Sequence, residues 1–193
     1  MRKNKLREKR CEWVDLENQL YVKYHDEEWG VPVHNDRKLF ELLILEGAQA
    51  GLSWNTVLKK RENYRKAFDN WNYEKISKYT IKKEKELLQN EGIIRNKIKI
   101  KSAISNAKVF ITIRKEFGIF DEYIWSFVNN QQVVNKFESL SEIPSKTKIS
   151  DELSKDLKSR GMSFVGPTII YAFMQSVGMV NDHVVSCFRH SNV

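Results

Sequence analysis

Residues 160–178, RGMSFVGPTIIYAFMQSVG, read as the end of one helix, a tight glycine-containing loop and a second helix. Gly161 closes the first helix. Pro167 falls in the first turn of the second, where a helix accepts proline best because the missing N–H would have no partner there anyway. That helix is expected to run to Gly178. A helix start preceded by Gly166 offers free backbone N–H groups, an anion site that can hold a phosphate without a charged side chain. An ordinary helix–helix turn shows the same pattern, so both readings stay open here.

The chain on either side is also helical in pattern. Ser150 is expected to start the helix before the loop, and residues 138–149 (ESLSEIPSKTKI) form the clearest connecting loop. From about Asn96 to Phe117, apolar residues fall at Ile100, Ala103, Ile104, Ala107, Phe110 and Ile111, which is helical spacing, and Gly118 ends the run. A helix from about Trp54 to Phe68 carries its charges in KKRENYRK. Asp36 can cap a helix reading RKLFELLILEGAQAG, apolar on nearly every face and so expected to be buried. A last helix is expected from about Asp182 to Arg189. No strand pair, repeat or low-complexity segment stands out, so the fold class is all-α.

The chain has 193 residues, 41% hydrophobic and 30% charged, which suits a globular domain with a sizeable core. Residues 1–10 read as a basic extension, expected to be disordered, and 11–193 as a single two-lobed helical domain. No apolar run approaches the 18 or so residues of a membrane helix, and MRKNKLREKR is followed by no apolar stretch that would make it a secretory signal. The chain is read as cytoplasmic. The net charge of +8, with a pI near 9.4, favours a polyanionic partner, although a lysine-rich composition can carry no functional meaning.

The two cysteines, Cys11 and Cys187, are poor disulfide candidates in a chain without an export signal. His183 and Cys187, in HVVSC, are four apart and on a helix would share one face. With Cys11 and His25 they make Cys2His2, a full tetrahedral zinc set with no open position, which points to a structural site. Such a site would tie the two ends of the chain together and fix the segment holding Tyr24. Scattered, unconnected residues are the alternative. His34 and His190 read as surface residues.

Glu46 interrupts the apolar run LFELLILEGAQAG. A carboxylate there must find a partner or become neutral. The partner can lie inside the fold, or Glu46 can sit at the floor of a ligand pocket. Trp13, Tyr21, Tyr24, Trp29 and Trp54 flank it in sequence; aromatics like these build cores, and they also stack on bases.

At this point the residues resemble one family. CEWV, LYVKYHDEEWGVP, LFELLILEGAQAGLSWNTVLKKRENYRKAF, GIIRNKIKI, YIWSFVNNQ, LSEIPS and GMSFVGPTIIYAFMQSVGMVNDHVVSC are similar to the type I 3-methyladenine DNA glycosylases, in register from Cys11 to about Cys187. The tracts EGAQAGLSW and VNDHVVSC are the most specific. The resemblance implies a helix-hairpin-helix DNA glycosylase fold, with a zinc site joining the N- and C-terminal segments through Cys11, His25, His183 and Cys187. It implies that Glu46, as catalytic and base-binding residue, lines the pocket with Tyr24 and Trp54, with Trp13 and Tyr21 close by. Gln49, Gly51 and Leu52 fall where the family enters the gap left by an extruded nucleotide. Phe164, Val165, Gly166, Pro167 and Thr168 fall where it holds the DNA backbone. Related glycosylases place a catalytic aspartate just before the final helix; here that place holds Asn181, with Asp182 beside it as a candidate substitute. The family is known for lacking that aspartate.

The implied partner is double-stranded DNA containing 3-methyladenine, bound by a monomer that removes the base without cutting the strand. Two other classes compete on the residues alone. A DNA-binding module would need the hairpin but not a buried Glu46 ringed by aromatics. A zinc-stabilised interaction protein would need neither the hairpin nor the positive charge.

Overall fold

The computed structural model describes residues 8–193. Most of the basic extension therefore lies outside the described residues. Its last residue, Arg10, is held: its Nε and Nη2 donate to the Asp26 carboxylate at 2.8 and 2.6 Å.

Nine α-helices occur among the described residues: α1 (Gln19–Glu27), α2 (Asp36–Gln49), α3 (Trp54–Ala67), α4 (Tyr73–Ile76), α5 (Ile81–Gln89), α6 (Lys97–Phe117), α7 (Phe120–Trp125), α8 (Lys148–Ser159) and α9 (Pro167–Ser176). Short polar residues start most of them. Asn18, Asn35, Ser53, Thr80, Asn96 and Thr147 each accept a first-turn N–H through the side chain. The only sheet among the described residues is a two-residue parallel pair, β1 (Val133–Val134) with β2 (Val180–Asn181). No helix among the described residues is long and apolar enough to cross a membrane.

The central helix is α2. Leu39 through Ala48 are all buried, and the helix packs on α3, α6, α7 and α9. Gly47 lets the α8–α9 loop dock on it: a Cβ there would lie 3.2 Å from Phe164 Cβ and 3.3 Å from its carbonyl oxygen. Gly178, at φ +69°, turns the chain out of α9 against Val31, where a Cβ would fall 2.3 Å from the Val31 carbonyl carbon. No other residue type fits that turn.

Several boundaries differ from the sequence reading. Asn35, not Asp36, caps α2; the Asp36 carboxylate instead accepts Arg114 Nε and the Phe120 and Asp121 N–H groups. Thr147 caps α8, with Ser150 at the third position completing a reciprocal box, so the helix starts at Lys148. α9 stops at Ser176, two residues before Gly178. The helix expected over Asp182–Arg189 does not form. Its backbone N–H groups go elsewhere: His183 N to Asn181 Oδ1, Val185 N to the Phe137 carbonyl and Phe188 N to the Lys9 carbonyl. Consecutive turns result, pinned to the N-terminal segment and to the loop after β1. His34 is exposed as expected, and half-buried His190 contacts the Asn135 carbonyl through Nε2.

Candidate active site and metal centre

The ligand atoms of Cys11, His25, His183 and Cys187 all lie within 4.8 Å of one another, and all four residues are buried. Cys11 Sγ is 3.5 Å from His183 Nδ1, and Cys187 Sγ is 3.5 Å from both His25 Nε2 and His183 Nδ1. Zinc bonds of about 2.3 Å to sulfur and about 2.0–2.1 Å to nitrogen, set at the tetrahedral angle, give an S···N edge of about 3.6 Å. The residues therefore fit a four-coordinate metal ion. The outer ring nitrogens fit as well: His25 Nδ1 faces Asp26 Oδ1 at 2.8 Å, and His183 Nε2 faces the Trp29 carbonyl at 3.0 Å. Each histidine can thus donate its outward N–H while its inner nitrogen faces the cysteine sulfurs. The turns at 183–190 bring His183 and Cys187 onto one point without a helix. Asn181, buried, holds the His183 N–H through Oδ1 and the His190 carbonyl through Nδ2.

The aromatic residues rest on this cluster. Trp13 packs edge-on against His25 and Trp29, with ring centroids 5.2 and 5.0 Å apart, and Trp29 packs edge-on against His183 at 4.6 Å. Above them opens a cavity of about 310 Å³, inside the range typical of small-molecule sites. Trp13, Tyr21, Tyr24, Trp29, Trp54 and Glu46 line it, so the sequence-predicted pocket residues converge. Trp13 meets Tyr21 edge-on at 5.2 Å, and Tyr24 lies tilted against Trp54 at 5.2 Å. Trp54 Nε1 is buried with no hydrogen-bond partner among the described residues.

Glu46 is 4% exposed and forms no ion pair among the described residues, unlike its neighbour Glu41 on the same helix. The nearby cation, Arg61, is already taken by Glu41 and by both oxygens of Glu28. Burial pushes the Glu46 carboxyl up to about 8, and the Ser176 hydroxyl and the charge of Arg61 offset only part of that. At neutral pH the group is mostly protonated, able both to donate and to accept. Burial, with Glu46 as a secondary cause, raises the Tyr24 phenol well above its ordinary value.

Gln49, at the end of α2, also lines the cavity. Beyond it Gly51 and Leu52 form an exposed turn, with Leu52 42% exposed. Lys99 clamps the base of that turn, its Nζ donating to the Ala48 and Ala50 carbonyls at 2.8 and 2.6 Å. The α8–α9 loop is clamped likewise. Asn106 makes a reciprocal pair with the Ser163 backbone, and Ser154 Oγ donates to the Val165 carbonyl at 2.6 Å. Gly166 caps α9 without a side-chain bond, leaving the first N–H groups of the helix without a side-chain partner. The Val165 side chain is in the core, so only its backbone is available at this surface. Thr168 lines the cavity, whereas Phe164, Gly166 and Pro167 do not.

A family model for methyladenine glycosylases matches residues 13–190. The chain belongs to the methyladenine glycosylase family. It is 51% identical to DNA-3-methyladenine glycosylase 1 of Escherichia coli (strain K12) over 178 residues, 92% of this chain and 95% of that one. It is 48% identical to DNA-3-methyladenine glycosylase of Haemophilus influenzae over 92% of this chain and 96% of that one. A crystal structure of 3-methyladenine DNA glycosylase I superposes with a TM-score of 0.90 at 50% identity, covering 93% of this chain and 98% of the other. A structure of 3-methyladenine recognition by 3-methyladenine DNA glycosylase I of Staphylococcus aureus superposes with a TM-score of 0.87 at 32% identity, covering 89% and 92%. As a methyladenine glycosylase the chain is an enzyme.

The structure adds lining residues to the glycosylase cavity that the sequence reading passed over. Leu140, Ile143, Pro144 and Ser145, given no pocket role by the sequence, close one side. Tyr171 and Gln175 of α9 close another. The signal for the second pair was present: a tyrosine and a glutamine four apart, on one face of an otherwise apolar helix. Asp182, the candidate substitute acid, is fully buried and takes three donors, Asn135 Nδ2, Tyr171 Oη and Gln175 Nε2, at 2.6–2.7 Å. It does not line the cavity.

Proposed function

We propose that this chain hydrolyses the N-glycosidic bond of 3-methyladenine in alkylated double-stranded DNA, flipping the nucleotide into the aromatic cavity and leaving an abasic site. The observation that carries the reading is Glu46, a buried carboxyl group without a counter-ion at the wall of a cavity ringed by tryptophan and tyrosine. A core would not keep such a group unpaired.

Methylation at N3 makes the adenine cationic. Electron-rich ring faces attract a cation, by roughly 0.5–2 kcal/mol per good contact. Glu46 accepts from the exocyclic amine and, when protonated, donates to a ring nitrogen. As the C1′–N9 bond breaks, its electron pair returns to the base and cancels the positive charge, so the leaving base needs no added proton. Water supplies the hydroxyl at C1′ and releases its proton to solvent. The enzyme's work is extrusion, recognition and holding. No lysine lines the cavity, which supports base removal without strand cleavage. Cys11, His25, His183 and Cys187 would hold one structural zinc ion per chain, which would supply cross-linking and no reactive position.

The uncapped N–H groups at the start of α9 would bind a DNA phosphate, while Leu52 at its clamped turn would fill the gap left by the flipped nucleotide. A Cβ on Gly166 meets nothing within 4 Å, and its φ of −62° suits any residue. Gly166→Leu should therefore fold with an unchanged melting temperature. Its duplex affinity should fall on the order of tenfold, about 1.4 kcal/mol of lost contact. Fluorescence anisotropy with labelled duplex measures this, and wild-type affinity in the variant would remove the hairpin from the DNA interface. The reaction itself is tested by incubating the protein with methylated DNA and separating the released bases by chromatography. Free 3-methyladenine is expected; release of no base would overturn the proposal.

A further inference from the structure

Tyr171 and Gln175 stand one helical turn apart on α9 and both line the cavity, yet their polar ends point back to one buried carboxylate. Tyr171 Oη donates to Asp182 Oδ2 at 2.6 Å, and Gln175 Nε2 donates to the same oxygen at 2.7 Å. The other oxygen is occupied by Asn135 Nδ2 at 2.7 Å. This arrangement decides which way the Gln175 amide faces. A free glutamine can turn either its N–H2 or its carbonyl toward a ligand. With one Nε2 hydrogen held by Asp182 the amide cannot turn over, so Oε1 stays on the side away from that carboxylate, where it receives no hydrogen bond from the described residues and is not sealed in the core.

We propose that Gln175 is a specificity-determining residue of the base pocket, its carbonyl presented as a fixed acceptor that selects an amine over a carbonyl on the edge of the bound base, with Asp182 as the residue that positions it. This rests on the function proposed above. An adenine offers an exocyclic N–H2 to such an acceptor. A guanine offers a carbonyl oxygen at the same ring position, and two facing acceptors repel with no proton to share. Glu46 cannot make this choice alone, because a neutral carboxyl group donates as readily as it accepts.

The test is titration of the purified, metal-loaded protein with free 3-methyladenine and free 3-methylguanine, read by quenching of the cavity tryptophans. Gln175→Met keeps the length of the side chain and removes the acceptor. It should weaken 3-methyladenine binding by roughly threefold to tenfold, the loss of one hydrogen bond, and leave 3-methylguanine unchanged or tighter, so the preference narrows. Asp182→Asn, checked for full metal content, should narrow it too, because an amide at 182 can accept or donate and no longer forces the Gln175 orientation. A merely structural role would lower both affinities together, and that result, or an unmoved ratio in Gln175→Met, overturns the assignment. If the wild-type protein binds neither base, the functional reading fails with it; if it binds 3-methyladenine and the ratio is unmoved, only Gln175 loses its role.

Discussion

Cys187→Ala is expected to empty the metal centre and, with it, to weaken a cavity that Cys187 does not touch. The four ligands come from segments at opposite ends of the chain, and removing one leaves an open, poorly held site. At free metal a thousand times above Kd, binding stabilises the fold by about 4 kcal/mol. For a domain of this size each kcal/mol is about 2–4 °C, so the melting temperature should fall by about 8–16 °C. Metal content, by elemental analysis, should fall from one ion per chain to a small fraction. The consequence for function comes through packing. His183 holds the Trp29 carbonyl, and Trp13 lies against both His25 and Trp29, so the wall formed by two tryptophans depends on the cross-link. Binding of free 3-methyladenine should therefore drop along with stability. Full metal occupancy and wild-type melting in the variant would show that the ion sits elsewhere.

Glu46→Gln should do the opposite to stability while removing function. The carboxyl group has a folded-state value of about 8 against 4.5 for the ordinary group, because burial disfavours its charged form. A raised value means that the group's contribution is fully present below about pH 4.5 and is lost as pH rises through about 8. Relative to the glutamine variant, which does not titrate, the wild-type protein should thus lose stability across that window, on the order of a few kcal/mol. Chemical denaturation at pH 5 and pH 8.5 compares the two. The variant should keep the wild-type metal content and its affinity for undamaged duplex. Excision and free-base binding should fall roughly tenfold to a hundredfold, the range for hydrogen bonds involving a group that can carry charge. A variant that fails to fold would make Glu46 a structural residue. Retained base binding with lost excision would move it from recognition to the chemical step.

The parts of this protein legible in the sequence are those that depend on near neighbours or on residue type. Periodic apolar positions and short polar caps foretell α2, α3, α6, α8 and α9, since a helix is specified within a few residues. The Cys2His2 set is legible because few residue types ligate zinc, and Glu46 because a carboxylate in an apolar helix is conspicuous. Where local pattern misled, a distant partner had intervened. The stretch Asp182–Arg189 has the length for a helix, but Phe137 and Lys9 take its backbone donors and it forms turns. Arg10 belongs to a basic tail by composition and to an ion pair with Asp26 by contact.

By itself, then, the sequence determined the helical class, the Cys2His2 set and the family, because each is written in residue type and short-range spacing. Only the tertiary structure decided that Glu46 has no counter-ion among the described residues, since Arg61 had to be seen engaged by Glu28 and Glu41. It alone brought the 140–145 loop and α9 around one cavity, and turned Tyr171 and Gln175 toward Asp182. Those are contacts between segments far apart along the chain, set by how apolar faces pack, and no local pattern of residues encodes which distant group will arrive.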